Sequence, residues 1–253
     1  MARIFITGSA DGLGYLAARL LVSWGHKVVL HARNSERARQ TLDKVPGAEK
    51  VLIADLSSSK ETKNLAAEVN AMGSFDAVIH NAGVYRASNE LIFAVNTLAP
   101  YILTCLIHKP ERLIYLSSGM HLHGDPSLKN LTGGDGYATY SDSKLHDLLL
   151  SMAVARKWPT VYANAVNPGW VPTKMGGSGA PDNLEKGIHT QAWLAVSNDD
   201  EAKVSGCYFY HKRQKDYLSA AGDVNLQEKF LSLCEQISGI RFPDDRAEDI
   251  NNK

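Results

Sequence analysis

Short apolar runs alternate with longer segments of helical pattern along most of the chain. The runs are rich in β-branched and aliphatic side chains, as in strands buried on both faces of a parallel sheet. We predict strands at residues 3–7, 27–30, 51–54, 77–79, 112–116, 162–166 and 206–210 and helices at 15–24, 57–72, 89–107, 140–157 and 226–237. This alternation predicts an α/β fold, with a doubly wound parallel sheet of about seven strands and helices on both faces.

Length and charge suggest one domain that binds a small molecule. The 253 residues suffice for one large α/β domain, which we place at residues 1–242, followed by a polar tail at 243–253. Lys plus Arg and Asp plus Glu each number 27, so the formal net charge is zero. Nothing in this balance points to nucleic acid or to an acidic membrane.

The cysteines and the apolar runs bear on the compartment. Cys105, Cys207 and Cys234 show no metal-ligand spacing, which predicts buried thiols in a reducing compartment, with no disulfide and no metal site. The first apolar run turns at Gly8, too early for a signal peptide, and no later run reaches about eighteen apolar residues. We therefore expect a cytoplasmic protein that does not bind membranes.

The first strand leads directly into a glycine-rich turn and then into a helix. Glycines at such a turn allow the backbone to approach a phosphate closely, and the helix N-terminus directs N–H groups at the anion. The alternative is a plain turn that needs glycine only for a positive φ. A P-loop for nucleoside triphosphates is excluded, because no Gly-Lys-Ser/Thr follows. The predicted cofactor-binding residues of the turn are Gly8, Ser9, Ala10, Asp11, Gly12, Leu13 and Gly14.

The end of the second strand indicates which dinucleotide is bound. An acidic residue here accepts from the ribose 2′-hydroxyl of NAD, whereas a basic residue accommodates the 2′-phosphate of NADP. The chain has no acid at this point and carries Arg33, so NADP(H) is favoured over NAD(H). Arg33 could instead be a solvated loop residue, and Asp11 is a counterweight because a carboxylate would repel the phosphate.

Two further positions carry candidate chemistry. Tyr140 and Lys144 are four residues apart, so a helix places the phenol and the ammonium on one face, where the cation favours the phenolate. By itself this pair is weak, because the same spacing occurs by chance in many helices. Asn96 is polar among apolar neighbours, and it could be a core asparagine that is satisfied by a nearby carbonyl.

His121 and His123 alternate in the loop after the fifth strand. A third ligand with suitable spacing is absent, so we do not predict a metal site. We expect both side chains to line the mouth of the substrate pocket or to face solvent. The glycines at residues 176–179 suggest a hinge or lid, or a plain surface loop.

Taken together and in order, these motifs resemble the short-chain dehydrogenases/reductases over nearly the full chain. The matching positions are Gly8, Gly12, Gly14, Asn81-Ala82-Gly83, Asn96, Ser118, Tyr140, Lys144, Pro168, Gly169 and Thr173. The Ala-Arg-Asn after the second strand, the long loop before Tyr140 and the run at residues 205–209 look like the retinol-dehydrogenase-like or carbonyl-reductase-like branch. Compared with the family, the segment from Asn96 to Ser118 and the region after Thr173 are short, so we expect a trimmed helix and a small lid.

The resemblance implies a Rossmann domain that transfers a hydride between a nicotinamide cofactor and a ketone, aldehyde or secondary alcohol. Tyr140 would be the general acid and base, Ser118 would hold the substrate oxygen, Lys144 would assist Tyr140 and bind the ribose, and Asn96 would hold a water. The remaining cofactor contacts are expected from Asp55, Leu56, Asn81, Ala82, Gly83, Pro168, Gly169, Val171 and Thr173, besides Tyr140 and Lys144 themselves. Members are often homodimers or homotetramers.

Two other functions remain open. The chain could be a catalytically silent dinucleotide-binding regulator or scaffold, because a fold does not fix a function. A lyase or epimerase acting on a nucleotide sugar is less suited, because too little chain follows Thr173 for the usual substrate domain. Trp170, Val171 and Met175 are apolar, which favours a moderately apolar substrate.

Overall fold

The structure is a computed structural model that describes residues 1–132 and 137–243. Eight strands form one sheet in the order β3-β2-β1-β4-β5-β6-β7-β8, and all neighbours are parallel except β7 and β8. The strands are β1 Arg3–Ile6, β2 Lys27–Ala32, β3 Lys50–Ile53, β4 Ala77–His80, β5 Arg112–Leu116, β6 Tyr162–Asn167, β7 Cys207–Tyr210 and β8 Arg213–Gln214. The predicted fold class is confirmed, and the two-residue β8 is the addition to the seven predicted strands.

The helices cover both faces of the sheet. They are α1 Gly12–Ser23, α2 Ser35–Lys44, α3 Ser59–Ala71, α4 Asn89–Ile92, α5 Ala99–Leu106, α6 Tyr140–Lys157, α7 Leu184–Val196 and α8 Val224–Ser238. A π-helical turn, Phe93–Leu98, joins α4 to α5. Every helix except α5 begins after a Ser, Thr, Asn or Asp whose side chain accepts a hydrogen bond from a backbone N–H of the first turn.

The strand order reverses at the centre of the sheet, where the ligand site of such a fold is expected. β1 pairs with β2 on one side and with β4 on the other. The connections that follow these two strands therefore leave in opposite directions and open a crevice between them. The glycine turn after β1 and Asn81-Ala82-Gly83 after β4 both lie at this crevice.

Each face of the sheet packs against its own hydrophobic core. On one face the strands pack against α3, α5, α6 and α8, and the large buried side chains include Tyr101, Tyr115, Leu148, Trp158 and Phe230. On the other face they pack against α1 and α7, with Leu21, Leu30, Ile79, Trp193 and Phe209 in the core. Each fully buried large apolar side chain contributes about 1.5–3 kcal/mol. The two cores hold the crevice open from both faces.

Two helices were not predicted from the sequence. Helix α2 is mostly polar and buries only Ala38 and Thr41, so it has no apolar stripe to reveal it. Helix α7 contains Gly187 and Thr190, both of which weaken a helical pattern. The expected small lid after Thr173 is therefore followed by a full helix that packs on α1.

Among the described residues, one helical stretch, Asn89–Leu106, is long and apolar enough to cross a membrane. It is 67% buried inside the fold, where it belongs to the core on the α3 and α6 face. The boundary predicted at residue 242 lies near the end of the described chain, and residues 244–253 of the predicted tail lie outside it.

Candidate active site

A cavity of about 1050 Å³ lies at the carboxyl ends of the central strands. It is large enough for a ligand of dinucleotide size. The predicted residues that line it are Gly8, Ala10, Asp11, Gly12, Leu13, Arg33, Asp55, Leu56, Asn81, Ala82, Gly83, Ser118, Tyr140, Lys144, Pro168, Gly169, Val171 and Thr173. Ser9, Gly14 and Asn96 are buried and do not line it. The fold thus brings the predicted cofactor and catalytic residues to one cavity.

The glycine turn packs closely against the strand end beside it. Gly8 and Gly12 have positive φ angles of 62° and 56°. A Cβ on Gly8 would lie 2.7 Å from the Cα of Ala82, and one on Gly14 would lie 2.3 Å from Nδ2 of Asn81. Larger side chains would push the turn away from the strand end beside it. The small residues therefore keep the turn and its backbone N–H groups close to the strand ends, where a pyrophosphate could approach them.

Asn81 ties the two strand ends together. Its Nδ2 donates to the carbonyl oxygens of Thr7 at 2.9 Å and of Gly8 at 3.0 Å. The hydroxyl of Thr7 accepts from the backbone N–H groups of Asn81 and Ala82, both at 3.0 Å. These bonds fix the floor of the cavity between β1 and β4.

His31 is a structural part of the turn that the sequence did not reveal. Its Nδ1 accepts from the N–H of Gly8 at 2.9 Å, and its Nε2 lies 3.0 Å from the carbonyl oxygen of Ala54. Burial lowers the pKa of His31 to about 4, so the ring is neutral at physiological pH and can accept from Gly8. The side chain of His31 thereby connects the glycine turn to the end of β3.

Charged side chains gather where the first two strands end. Arg33 is exposed and lines the cavity together with Arg37, which the sequence analysis did not identify. Arg37 lies 3.8 Å from the carboxylate of Asp11, and Lys174 donates to the same carboxylate at 2.5 Å. Burial raises the pKa of Asp11, but hydrogen bonds from Lys174 and from the N–H of Gly12 outweigh burial and hold it below its ordinary value. The negative charge of Asp11 is thus compensated by two cations.

Tyr140 and Lys144 line the same cavity as the arginines. Tyr140 is the first residue of α6, whose start is fixed by a reciprocal capping box between Thr139 and Asp142. The Lys144 Nζ lies 5.4 Å from the centre of the Tyr140 ring. The ring of Tyr85 packs edge-on against Tyr140 with centroids 4.8 Å apart. Packing on two sides holds the phenol at the cavity wall.

The ammonium of Lys144 is held by two acceptors behind the cavity. Its Nζ donates to the carbonyl oxygen of Leu116 at 2.7 Å and to Oδ2 of Asp147 at 2.8 Å. The lysine and the aspartate are 5% and 4% exposed, so the ion pair is buried. The hydroxyl of Ser117 also donates to the carbonyl oxygen of Lys144 at 2.8 Å. These contacts fasten α6 to the end of β5.

Ser118 and Asn96 take different places around this pair. Ser118 lines the cavity, and its hydroxyl accepts from the N–H of Met120 at 3.2 Å. Asn96 is 1% exposed; its amide bonds both backbone groups of Val84 at 2.8 and 3.0 Å and donates to Ser143 Oγ at 3.1 Å. The Asn96 side chain thus connects the loop after β4 to α6, and its predicted role in holding a water stays a prediction.

The turn after β6 forms the remaining wall. Gly169 has a φ of 87°, and the carboxylate of Asp182 accepts from the N–H of Trp170 at 2.6 Å. Tyr210 donates to the other oxygen of Asp182 at 3.2 Å. Thr173 accepts from the N–H of Gly176 at 3.2 Å. Asp182 therefore holds the turn in shape, although it lies outside the motif that identified Pro168 and Gly169.

Gly187 lets α7 pack directly against this wall. A Cβ at Gly187 would lie 2.4 Å from the carbonyl oxygen of Pro168, which is backbone and cannot swing aside. We expect Gly187→Ala to lower the free energy of unfolding by about 2 kcal/mol, despite the better helix propensity of Ala, because the loop must be displaced. Chemical denaturation measures this. Gly179→Ala is the matched control, because a Cβ there meets nothing within 4 Å. If Gly187→Ala left the free energy of unfolding unchanged, the packing argument would be contradicted.

His121 was predicted to line the mouth of the substrate pocket or to face solvent. This was wrong, since the residue is 1% exposed and lies buried. Its Nδ1 lies 2.7 Å from the Ser118 carbonyl oxygen, and its Nε2 accepts from the N–H of Leu218 at 3.2 Å. The ring also packs edge-on against Tyr208. His123 is exposed, as expected for a residue facing solvent.

A nucleotide-sized crevice at the strand reversal, with a tyrosine and a lysine at one end, defines a dinucleotide-linked enzyme architecture. The short chain dehydrogenase family model matches residues 2–108. The chain is 47% identical to an uncharacterized oxidoreductase of Emericella nidulans, over 96% of this chain and 99% of the relative. It is 45% identical to a short-chain dehydrogenase of Penicillium rubens, over 96% and 100%. The chain therefore belongs to the short-chain dehydrogenase/reductase family of oxidoreductases.

A more distant relative is mouse retinol dehydrogenase 14, at 28% identity over 94% of this chain and 86% of the relative. Among solved structures, an uncharacterized protein from Mycobacterium paratuberculosis matches with a TM-score of 0.81 at 22% identity. The match covers 96% of this chain and 95% of that one. This likeness shows the shared fold.

Proposed function

We propose that the protein is an NADP(H)-dependent oxidoreductase that interconverts a ketone or aldehyde and the corresponding alcohol. The observation that carries this proposal is the placement of Tyr140 and Lys144 in the same cavity as the glycine turn. A phenol, an ammonium and a serine hydroxyl at one end of a dinucleotide-sized cavity match what a hydride transfer to a carbonyl requires.

The residues around the cavity fit a nicotinamide dinucleotide, as judged from the turn at Gly8 and Gly14, which packs so closely on Ala82 and Asn81 that a Cβ at either glycine would displace it. The N–H groups after Gly12 would hold the pyrophosphate, Asp55 and Leu56 the adenine side, and the turn from Pro168 to Thr173 the nicotinamide side. When bound, the dinucleotide supplies or accepts the hydride.

The chain's own residues handle the proton and the substrate oxygen. In the reductive direction, the Tyr140 hydroxyl donates its proton to the oxygen of the substrate as charge develops there. The Ser118 hydroxyl donates a hydrogen bond to the same oxygen and orients the carbonyl. Of the three N–H groups of Lys144, two are used by Leu116 and Asp147, which leaves one to reach the ribose.

Arg33 and Arg37 support a preference for NADP. Both line the cavity beside the end of β2, and no acidic residue lies between β2 and α2 to accept from a ribose 2′-hydroxyl. Asp11, which would repel a 2′-phosphate, is paired with Lys174 and lies near Arg37. Two guanidinium groups at this end would bind the phosphate by charge-assisted hydrogen bonds.

We expect NADPH to bind at least about tenfold more tightly than NADH, which corresponds to about 1.4 kcal/mol. Arg33→Ala should remove most of this preference, because it removes a cation that acts on the 2′-phosphate and leaves the rest of the dinucleotide untouched. The measurement is a titration of the purified protein with each cofactor, followed by nicotinamide fluorescence.

Arg39→Ala is the control for the loss of one positive charge, since Arg39 is exposed on α2 and does not line the cavity. Equal binding of NADH and NADPH by the unmodified protein would instead favour an NAD-linked alcohol oxidation. If neither cofactor bound, the turn from Gly8 to Gly14 would not be a working cofactor site, and the proposed function would be contradicted.

The mouth of the cavity favours a moderately apolar substrate. Partly exposed apolar side chains line it, and they are Tyr85, Leu91, Met120, Trp170 and Met175. A panel of ketones and aldehydes of increasing apolar size, assayed with NADPH, tests this. A clear preference for phosphorylated or strongly anionic substrates would contradict it. Cytoplasmic location and assembly into homodimers or homotetramers stay predictions.

A further inference from the structure

A second cavity, of about 690 Å³, lies beside the dinucleotide-sized one. It opens between the first two turns of α7 and the turn that joins β7 to β8. Among the described residues, Tyr210 is the one that lines both cavities, and its hydroxyl donates to Asp182 in the wall of the first. The volume is in the range of small-molecule sites. The proposed hydride transfer makes no use of this second cavity.

Cationic side chains dominate the lining of the second cavity. Within the part of the chain that the structure describes, none of its four full cations forms an ion pair; they are Lys186, Lys212, Arg213 and Lys215. Glu185 is the acidic residue of the described lining, and its carboxylate lies 3.5 Å from His189. In a chain whose formal net charge is zero, this cavity is a local excess of positive charge.

Two carboxylates next to the lining are engaged elsewhere. Asp199 lies near Lys212, but its carboxylate accepts from Nε1 of Trp193 at 2.6 Å. Asp182 lies near His211, but its carboxylate accepts from the N–H of Trp170 and from Tyr210. The four cations around one concavity therefore repel one another, and an anion placed between them would remove that repulsion. An anion with several charges balances this excess better than one with a single charge.

The turn between β7 and β8 has a backbone conformation that side chains disfavour. Its two residues, His211 and Lys212, have φ angles of 50° and 61°, and Tyr210 pairs with Arg213 across the turn. Two-residue hairpin turns of this kind normally carry Asn-Gly or a similar sequence with glycine. Both side chains line the second cavity. The strained backbone thus places there two side chains that the usual turn sequence would not supply.

His211 supplies a neutral polar group to the same cavity. Its ring stacks on Tyr210 with centroids 3.8 Å apart, and the N–H of Lys212 fixes the turn to α7 by donating to Thr190 at 3.1 Å. The Nε2 of His211 is shielded from solvent and has no hydrogen-bond partner among the described residues. Burial lowers the pKa of His211, so the ring is neutral near pH 7 and can carry its one N–H on Nε2. A bound anion could accept from this nitrogen.

We propose that this cavity is a second binding site, separate from the dinucleotide cavity, for a small multivalent anion that carries several phosphate or carboxylate groups. Lys186 on α7 and the three cations at residues 212, 213 and 215 supply the charge, and His211 supplies a neutral donor. The bound anion would hold α7 and the turn after β7 together. It would also lie next to Tyr210, which lines the active-site cavity as well.

The test is isothermal titration calorimetry of the purified protein, free of substrate and dinucleotide, at constant ionic strength and without other multivalent anions. Inorganic triphosphate and citrate are titrated separately. We expect at least one of them to bind with a Kd below about 1 mM. The double variant Lys186→Gln/Arg213→Gln should weaken this binding by at least about tenfold, because it removes one cation from each side of the cavity. Tighter binding of triphosphate would identify phosphate groups as the ligand chemistry, and tighter binding of citrate would identify carboxylates.

The matched control is Arg39→Gln/Lys60→Gln, which also removes one arginine and one lysine. Both residues are exposed and line neither cavity, so the affinity should stay within about twofold. A second variant, His211→Asn/Lys212→Gly, installs the preferred turn sequence and should weaken binding by at least about threefold while the turn stays formed.

Absence of binding by both anions at about 10 mM would overturn the proposal. Affinities that are unchanged in both cavity variants, or that fall equally in the matched control, would overturn it too. The same holds if Arg33→Ala abolished binding and Lys186→Gln/Arg213→Gln did not, because the anion would then occupy the dinucleotide cavity. A failure to bind NADPH or NADH would count against the proposed function and would not alter this titration.

Discussion

Tyr140→Phe is expected to reduce the turnover of a carbonyl substrate by about a thousandfold, equivalent to about 4 kcal/mol of transition-state stabilisation. The substitution removes the one hydroxyl that would carry the proton. It preserves the ring that packs against Tyr85. The affinity for NADPH should change by less than about threefold, because the ring still fills the cavity wall. The measurements are NADPH consumption with the best substrate of the panel and fluorescence titration of the cofactor.

Tyr137→Phe is the matched control for the loss of a tyrosine hydroxyl. Tyr137 is exposed and lies outside the lining of the cavity, so its variant should keep full turnover. A Tyr140→Phe variant with more than about a tenth of normal turnover would show that another group supplies the proton. The scaffold alternative predicts no turnover in either protein, with cofactor binding intact in both.

Acidification from pH 6 to pH 4 is expected to lower the free energy of unfolding by about 5 kcal/mol, comparable to the whole stability of a typical domain. Burial lowers the pKa values of His31 and His146 to about 4 and of His80 to about 3. Each ring stays neutral in the folded chain and gains a proton on unfolding below pH 6.5. Their contribution is therefore complete above pH 6.5 and is lost as the pH falls toward 4.

Asp147 acts in the opposite sense. Its folded pKa of about 6 lies above its unfolded value of 3.8, so the folded chain binds a proton between those values and gains stability as the pH falls. Three protons taken up on unfolding and one released leave about two, which gives a slope of about 2.7 kcal/mol per pH unit. Urea denaturation at a series of pH values measures this slope.

His80→Phe isolates one of these protons. The ring of His80 stacks on Tyr115, and within the described chain its Nδ1 has no hydrogen-bond partner. Its Nε2 has a contact of 3.3 Å with the hydroxyl of Thr104, which also bonds Tyr115 at 2.9 Å, so a phenyl ring can take its place at modest cost. The slope should fall by about 1.4 kcal/mol per pH unit, the value for one proton. His123→Gln is the control, because an exposed ring is solvated in both states. Equal slopes in all three proteins would exclude His80 as a source of the pH-dependent stability.

The parts of the fold that the sequence predicted are those with a strong local signal. The parallel strands are continuous apolar runs, and the cofactor turn is marked by glycines that a Cβ would displace from Ala82 or Asn81. Helices α2 and α7 lack such signals. Helix α2 is solvated on most sides, and α7 needs Gly187 for its contact with Pro168, so a tertiary requirement hides its helical pattern.

The same distinction applies to the site. Tyr140 and Lys144 could be read from their spacing, and Asp147 continues that spacing by one more turn, which is the signal that could have identified it. Asp182 and His31 could not be found in this way, since the groups that they bond are distant in sequence. Arg37 becomes visible only once α2 is known to begin beside the cavity.

The central position of β1 also governs how the chain can be assembled during its synthesis. β1 leaves the ribosome first, yet one of its two neighbours, β4, ends 74 residues later at His80. At about 5–20 residues per second, this neighbour follows roughly 4–15 s after β1. During that interval β1 can pair only with β2, and the opposite edge of this central, largely buried strand stays open to other chains or to chaperones.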